Sequence, residues 1–319
     1  RISTFMLFQD TIMTVRSSAL STIKHLLVPV SLMKSGMDNT AALSEYGIVG
    51  GMVLPVLMFP CAFLLILLYY SLKFRGNWDK IYEAIQMREE VDEGEYKKLK
   101  DKVCSKYITM LDKKYPEYLK YSYKPPFVLY YYGDISLLKS EEVRVAVVGS
   151  RECTDYGRDI TKELVEPLAK KNRIIVSGLA RGIDGIAHST CINAKGKTIA
   201  VLGSGIDYPY PSSNKALYEE IKNHHLLLSE YPNKTEPIPD NFPARNRIVA
   251  GIAHKVLVTE AYVNSGTNIT VLYALRQGKD VMAVPHEAKK NSACNRLIQD
   301  GAFLVESVED VLYLTEKKF

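Results

Sequence analysis

Residues 143–188 read VRVAVVGSRECTDYGRDITKELVEPLAKKNRIIVSGLARGIDGIAH. Two short runs of branched apolar residues, 143–149 and 173–178, enclose a stretch of helical length, and both end in glycine next to serine. Strands buried on both faces are apolar throughout rather than alternating, and such strands separated by helices pair in parallel. The pattern extends to both sides. TIAVLG (198–203), LLLSE (226–230), KVLVTE (255–260) and DVMAVP (280–285) are further continuous runs, with helix-length stretches at 158–171, 266–277 and 292–299. This order predicts an α/β domain over 106–319 built on a doubly wound, mostly parallel sheet. Ligands of such sheets bind beyond the carboxyl ends of the strands, so the residues after each run are the ones to inspect.

Composition limits the alternatives. With 47% hydrophobic and 24% charged residues in 319, the chain can build a core and is neither disordered nor collagen-like. Its five cysteines (Cys61, Cys104, Cys153, Cys191, Cys294) are odd in number and lack any C-x-x-C spacing. They read as reduced thiols of a cytosolic domain, with no disulfide framework, zinc site or iron–sulfur cluster. Adjacent His224 and His225 cannot face one metal from a regular element. The net charge of +5 is not spread evenly: residues 1–75 hold six basic against three acidic side chains, and the remaining 244 hold 35 against 33. An anion site in the domain must therefore be a local groove.

Before the domain, residues 46–72 run without a charge, long enough to cross a bilayer at ~20 residues per span. Tyr69 and Tyr70, followed by Lys73 and Arg75, have the order of an interfacial belt with a cytoplasmic positive flank. The expectation is a hydrophobic helical segment over 1–75 with a transmembrane helix at 46–72, leaving residues 76–319 in the cytoplasm. Residues 76–105 are charge-rich, with apolar positions near Ile81, Ile85, Val91 and Leu99, and predict a helical connector.

The strand-end loops concentrate small and hydroxylated residues. Gly149, Gly178, Gly182, Gly203, Gly205 and Gly266 permit close approach of backbone to a ligand, while Ser150, Ser177, Ser265 and Thr267 can donate hydroxyls to an anion. Nucleotide cofactors in their usual modes fit poorly. Gly203-Ser204-Gly205 begins a G-x-G-x-x-G fingerprint, but Tyr208 takes the third place and Pro209 and Pro211 forbid an immediate helix. No cofactor is expected. A G-x-S-x-G elbow and an H-E-x-x-H pair are both missing. Asp184 and His188, four apart on a helix, could face each other as an acid–base pair, or serve as a cap and an internal hydrogen bond. In NFPARNRIVAGIAH (241–254), Arg245 and Arg247 flank Asn246 at what should be a helix start, where free N–H groups make a phosphate clamp; at least one arginine is also expected to bridge Glu230 or Glu260.

Ten segments in order carry a family resemblance over about 107–313: YITMLDKKYPEYLK, PPFVLYYYGD, GSRECTDYG, SGLARGIDGIAH, GSGIDYPYPSSN, LSEYP, FPARNRIVAGIA, EAYVNSGTNIT, DVMAVP and NRLIQDGA. They resemble the DNA-processing protein A family, also called DprA or Smf. The resemblance implies an extended Rossmann-like domain, not an enzyme, that binds single-stranded DNA, forms a homodimer, and protects incoming strands and loads the RecA recombinase onto them in natural transformation. It also implies that Arg151 contacts a phosphate, with Gly149, Ser150, Ser177 and Gly178 lining the pocket and Lys215, Arg245 and Arg247 adding cations. Ser265, Gly266 and Thr267 belong to the same expected anion surface, and Tyr156, Tyr208 and Tyr210 are candidates for base stacking.

The chain departs from the family pattern in several places. Residues 24–64 resemble a fragment of a polysaccharide or sporulation flippase where the family has a helical domain, as in a fusion of two frames. No winged helix is expected after Phe319. Pro285 is followed by His286 rather than glycine, and Ala293 stands where glycine is customary. A competing reading is a nucleotide-binding or nucleoside-monophosphate-cleaving Rossmann-like protein, but the turn Asn264-Ser265-Gly266-Thr267 is followed by Ile269 and Thr270, with no glutamate.

Overall fold

A computed structural model describes residues 64–288 and 292–316, which fall into two compact units divided between Lys100 and Asp101. In the first unit, a helical stretch over 64–73 precedes α1 (Trp78–Met87) and α2 (Glu93–Lys100). Asn77 caps α1 by accepting from the Lys80 amide, and Arg88, in the left-handed region at φ 52°, ends it. The connector is thus two short helices rather than one. All but the last residue of the stretch 24–64, for which a flippase resemblance is expected, and most of the expected span at 46–72 lie outside the described residues, among which no helix is long and apolar enough to cross a membrane. The expected interfacial belt is a small core instead. Tyr69 and Tyr70 are buried, their hydroxyls donating to the Glu95 carboxylate and the Glu89 carbonyl, and Lys73 pairs with Glu89 at 3.1 Å.

The second unit contains one nine-stranded sheet. In chain order its elements are β1 (Lys106–Thr109), α3 (Glu117–Lys120), β2 (Val128–Gly133), β3 (Arg144–Gly149), α4 (Asp155–Lys170), β4 (Ile174–Ser177), α5 (Ile183–Asn193), β5 (Thr198–Leu202), α6 (Lys215–His224), β6 (Leu226–Ser229), α7 (Asn241–Ile252), β7 (Lys255–Glu260), α8 (Thr267–Arg276), β8 (Val281–Ala283), α9 (Ala293–Gln299), β9 (Phe303–Leu304) and α10 (Val308–Glu316). The spatial order is β1-β2-β6-β5-β4-β3-β7-β8-β9. The pairs β1–β2 and β2–β6 are antiparallel and the rest parallel. This is the Rossmann-like α/β arrangement expected, extended at one edge by an antiparallel pair.

Strand residues are buried on both faces along β3, β4, β5 and β7, as their continuous apolar character demands. Val145, Val147, Ile175, Leu257 and Met282 of the sheet pack with Leu164, Leu168, Ile183, Val311 and Leu314 from α4, α5 and α10. Burial of such side chains is worth ~1.5–3 kcal/mol each. After β3 the chain steps outward through β4, β5 and β6, then crosses back to lay β7 on the other side of β3. That reversal opens a crevice at the carboxyl ends of β3 and β7.

Candidate nucleic-acid interface

The loop after β3 is held from three sides. The Ser150 amide donates to the Glu260 carbonyl at 2.8 Å, and the Ser150 hydroxyl donates to the Glu152 carbonyl and accepts from the Glu152 amide. The buried Glu260 carboxylate accepts from the Thr154 amide at 3.0 Å and the Thr154 hydroxyl at 3.1 Å, while Thr154 caps α4 by accepting from the Gly157 amide. From below, Gly182 passes so close that an added Cβ would lie 2.2 Å from the Ser150 carbonyl, and its φ of +69° suits glycine alone. The Ile183 amide, at the start of α5, donates to that carbonyl at 3.1 Å.

Arg151 projects from this fixed loop and is exposed. Its guanidinium lies 5.5 Å from the centre of the Phe242 ring, and Phe242 in turn sits 5.3 Å from Tyr210. Arg151 borders two concavities. The smaller is lined by Gly178, Arg181, Tyr210, Phe242 and Arg245. The larger, of about 530 Å³, lies among the loop, the first turn of α4, α5 and the start of α6, and includes Arg158, Gly182, Gly185 and Asn214. Arg151 brings an exposed cation beside an aromatic face, and exposed Arg181 lines the same concavity, an arrangement suited to a polyanion carrying planar rings.

The other sequence-derived candidates divide into groups. Gly149 ends β3 in contact with Ile183 and the Glu260 carbonyl. Ser177 is buried, its hydroxyl donating to the Val147 carbonyl at 2.7 Å. The Gly178 amide donates to the Asp184 carboxylate at 3.1 Å. Lys215 is exposed as the first residue of α6, beside Asn214, whose side-chain amide donates to the carbonyls of Leu179 and Ala180. Across the crevice, Thr267 is buried at the start of α8, the Ser265 hydroxyl is buried without a hydrogen-bond partner, and Gly266 is exposed.

Arg245 and Arg247 do not sit beside free helix-start amides. The helix begins at Asn241, so they occupy its second turn, where amides are already paired within the helix. Arg245 is buried and donates to the carbonyls of Gly178 (2.6 Å) and Val201. Desolvation pulls its pKa down to about 10. Its guanidinium covers Gly178 so closely that a Cβ there would lie 2.5 Å from Nη2. Arg247 is buried in an ion pair with Glu230 at 2.5 Å and donates to the carbonyls of Lys124 and Ala244. Asn246, between them, accepts from Arg245 and reaches the Gly266 carbonyl at 3.4 Å. The chain thereby links Gly178, Arg245, Asn246 and Gly266 around the crevice, whereas Arg247 serves the interior.

Asp184 and His188 do not meet as an acid–base pair. Asp184 accepts from the amides of Gly178 and Ala180, and its burial raises its pKa above the usual carboxylate value. His188 Nδ1 shares a hydrogen bond with Thr198 at 2.7 Å, and desolvation pushes its pKa down to about 3. Tyr156 is engaged away from Arg151, its hydroxyl donating to the Pro285 carbonyl and its ring meeting His286 edge-on at 5.1 Å. His286 and Ala293 are both outside the positive-φ region, so glycine is not required at either place. Tyr208 and Tyr210 are 41% and 43% exposed and remain open to a ligand. Sequence reasoning overlooked Phe242, Arg181 and Arg158. The signal for the first two was present, since Phe242 opens the arginine-rich helix and Arg181 lies between two glycines of the loop after β4.

The chain is similar in sequence and fold to known proteins. DNA processing protein DprA of Streptococcus pneumoniae is 44% identical over 207 residues, covering 64% of this chain and 72% of its own length. The X-ray structure of that organism's DNA processing protein A superposes with a TM-score of 0.67 at 37% identity, over 80% of this chain and 93% of the other. A structure of DNA processing protein A from Helicobacter pylori, described for its single-stranded DNA binding mode, superposes with a TM-score of 0.61 at 30% identity, over 66% of this chain and 96% of the other. The family model described as DNA recombination-mediator protein A matches residues 106–316. With that match spanning the whole sheet and both walls of the crevice, the chain belongs to the DNA recombination-mediator protein A family.

Proposed function

We propose that this protein binds single-stranded DNA in the crevice around Arg151, protects incoming strands and loads the RecA recombinase onto them during natural transformation. One observation carries the reading: Arg151 is an exposed cation on a fixed loop, seated over Phe242 and beside Tyr210 and Arg181. Phosphate at the guanidinium and bases on the rings use the two chemistries that single strands offer. Lys215 and the Ser265-Gly266-Thr267 turn extend the anion surface to either side. The role is one of binding, without a catalytic group. Outward-facing Leu272 and Leu275 on α8, 45% and 54% exposed, support a homodimer.

Fluorescence anisotropy of the full chain with single-stranded and duplex oligonucleotides, over a salt series, tests the reading. The expected outcome is single-strand preference, with log K falling by ~0.7 per contacted phosphate for each decade of salt, and a slope smaller by about that amount in Arg151→Ala. Absence of binding at low salt, or an Arg151→Ala variant indistinguishable from wild type, overturns it. RecA loading is tested by whether the protein accelerates filament growth on strands already coated by a single-strand-binding protein.

A further inference from the structure

The larger cleft, of about 530 Å³, is not needed to explain a phosphate at Arg151, yet Arg151 forms part of its wall. We propose that it is a second nucleotide subsite, through which a single strand continues after leaving Arg151, with the next phosphate held by Arg158. This rests on the single-strand reading above.

The lining supports a nucleotide. The volume falls within the ~300–1,000 Å³ of small-molecule sites. Ile186 and Leu217 offer apolar wall, and Ser213 offers a polar edge. Gly182 and Gly185 bring the backbone at the start of α5 to the wall, their missing Cβ positions taken up by the Ser150 carbonyl and the Asn214 side chain, so the ligand space lies among the surrounding side chains. Arg158 holds an exposed i,i+3 pair with Asp155, whose side chain is 88% exposed. Such a pair is worth little, so the guanidinium can exchange carboxylate for phosphate at small cost. Glu152, exposed on the same rim, partly offsets the two arginines, which limits the expected gain to a single phosphate contact.

The test compares oligothymidylates of increasing length on the full chain with wild type, Arg158→Ala, Glu152→Gln and Ala216→Trp, the last placing a ring in the cleft from an exposed position. Expected is a salt slope lower by ~0.7 for Arg158→Ala on long strands and unchanged on strands too short to pass Arg151. Ala216→Trp should weaken long strands alone, and Glu152→Gln should tighten them. Long-strand binding unaltered in both Arg158→Ala and Ala216→Trp, while Arg151→Ala is impaired, overturns the second subsite and leaves the first intact. Binding unaltered in Arg151→Ala removes the reading on which both rest. Unchanged thermal unfolding of each variant confirms that the comparison concerns the cleft.

Discussion

Replacing Arg247 by methionine separates a structural arginine from one proposed to bind DNA. The Arg247 and Glu230 side chains are 3% and 5% exposed, so removing the guanidinium leaves a carboxylate in the interior without its arginine. Breaking a buried pair from one side costs ~3–5 kcal/mol, because the remaining charge keeps its desolvation penalty and loses its Coulomb partner. The hydrogen bonds that Arg247 donates to the carbonyls of Lys124 and Ala244 are lost as well. For a folding unit of this size each kcal/mol lowers Tm by ~2–4 °C, so Arg247→Met is expected to melt roughly 6–20 °C below wild type. The double variant Arg247→Met/Glu230→Leu, which removes both charges, should recover a large part of that loss. Circular dichroism melts give the stability, and anisotropy well below the melting range gives the affinity. The salt slope for single strands should be unchanged in the single variant. A wild-type Tm combined with a loss of salt-dependent binding would refute the assignment of Arg247 to the interior.

Further outcomes follow from the same coordinates. His188 is fully buried with its pKa lowered from 6.5 to about 3, so the unfolded chain binds a proton that the folded one refuses. Its contribution is complete above pH 6.5 and is lost as the pH falls toward 3, at about 1.4 kcal/mol per pH unit; thermal melts of His188→Asn between pH 7 and 4 should show a flatter dependence than wild type, and equal slopes would count against it. Gly182→Ala forces a Cβ against the Ser150 carbonyl at a φ of +69° and should lower both Tm and single-strand affinity by displacing the Arg151 loop. Gly266→Ala meets nothing within 4 Å, so its melt should match wild type and any change in affinity would come from the ligand side alone. Phe242→Leu, which keeps apolar bulk but removes the ring, should lose ~1–3 kcal/mol of binding if a base stacks there, with Tm little changed; unchanged affinity would rule out stacking at that ring.

The central strands were legible because burial on both faces leaves a continuous apolar run, and β7 coincides with KVLVTE to the residue. Helix α4 begins three residues before the expected stretch, since Asp155-Tyr156-Gly157 reads as loop until the Thr154 cap and the overlying Glu260 carboxylate are known. The strands β1, β2 and β9 escaped the pattern search. They lie toward the two edges of the sheet, where pairing rather than continuous apolar character defines a strand, and β9 has only two residues. At the candidate site, the place of Arg151 on a strand-end loop could be read from GSR, but Arg245 and Arg247 could not be told apart. Both stand in one helical segment two positions apart, and only the packing of α7 turns one toward Gly178 and the other toward Glu230.

The clamp formed by Glu260, Thr154 and Gly182 fixes the Arg151 loop before any strand arrives. Binding then requires no ordering step at this loop, and the encounter itself governs the forward rate. On the proposed binding mode, ionic strength should therefore act mainly on association, through steering of the polyanion toward an arginine already in place, while the residence time should follow the proposed stacking on Phe242 and Tyr210 and change far less with salt.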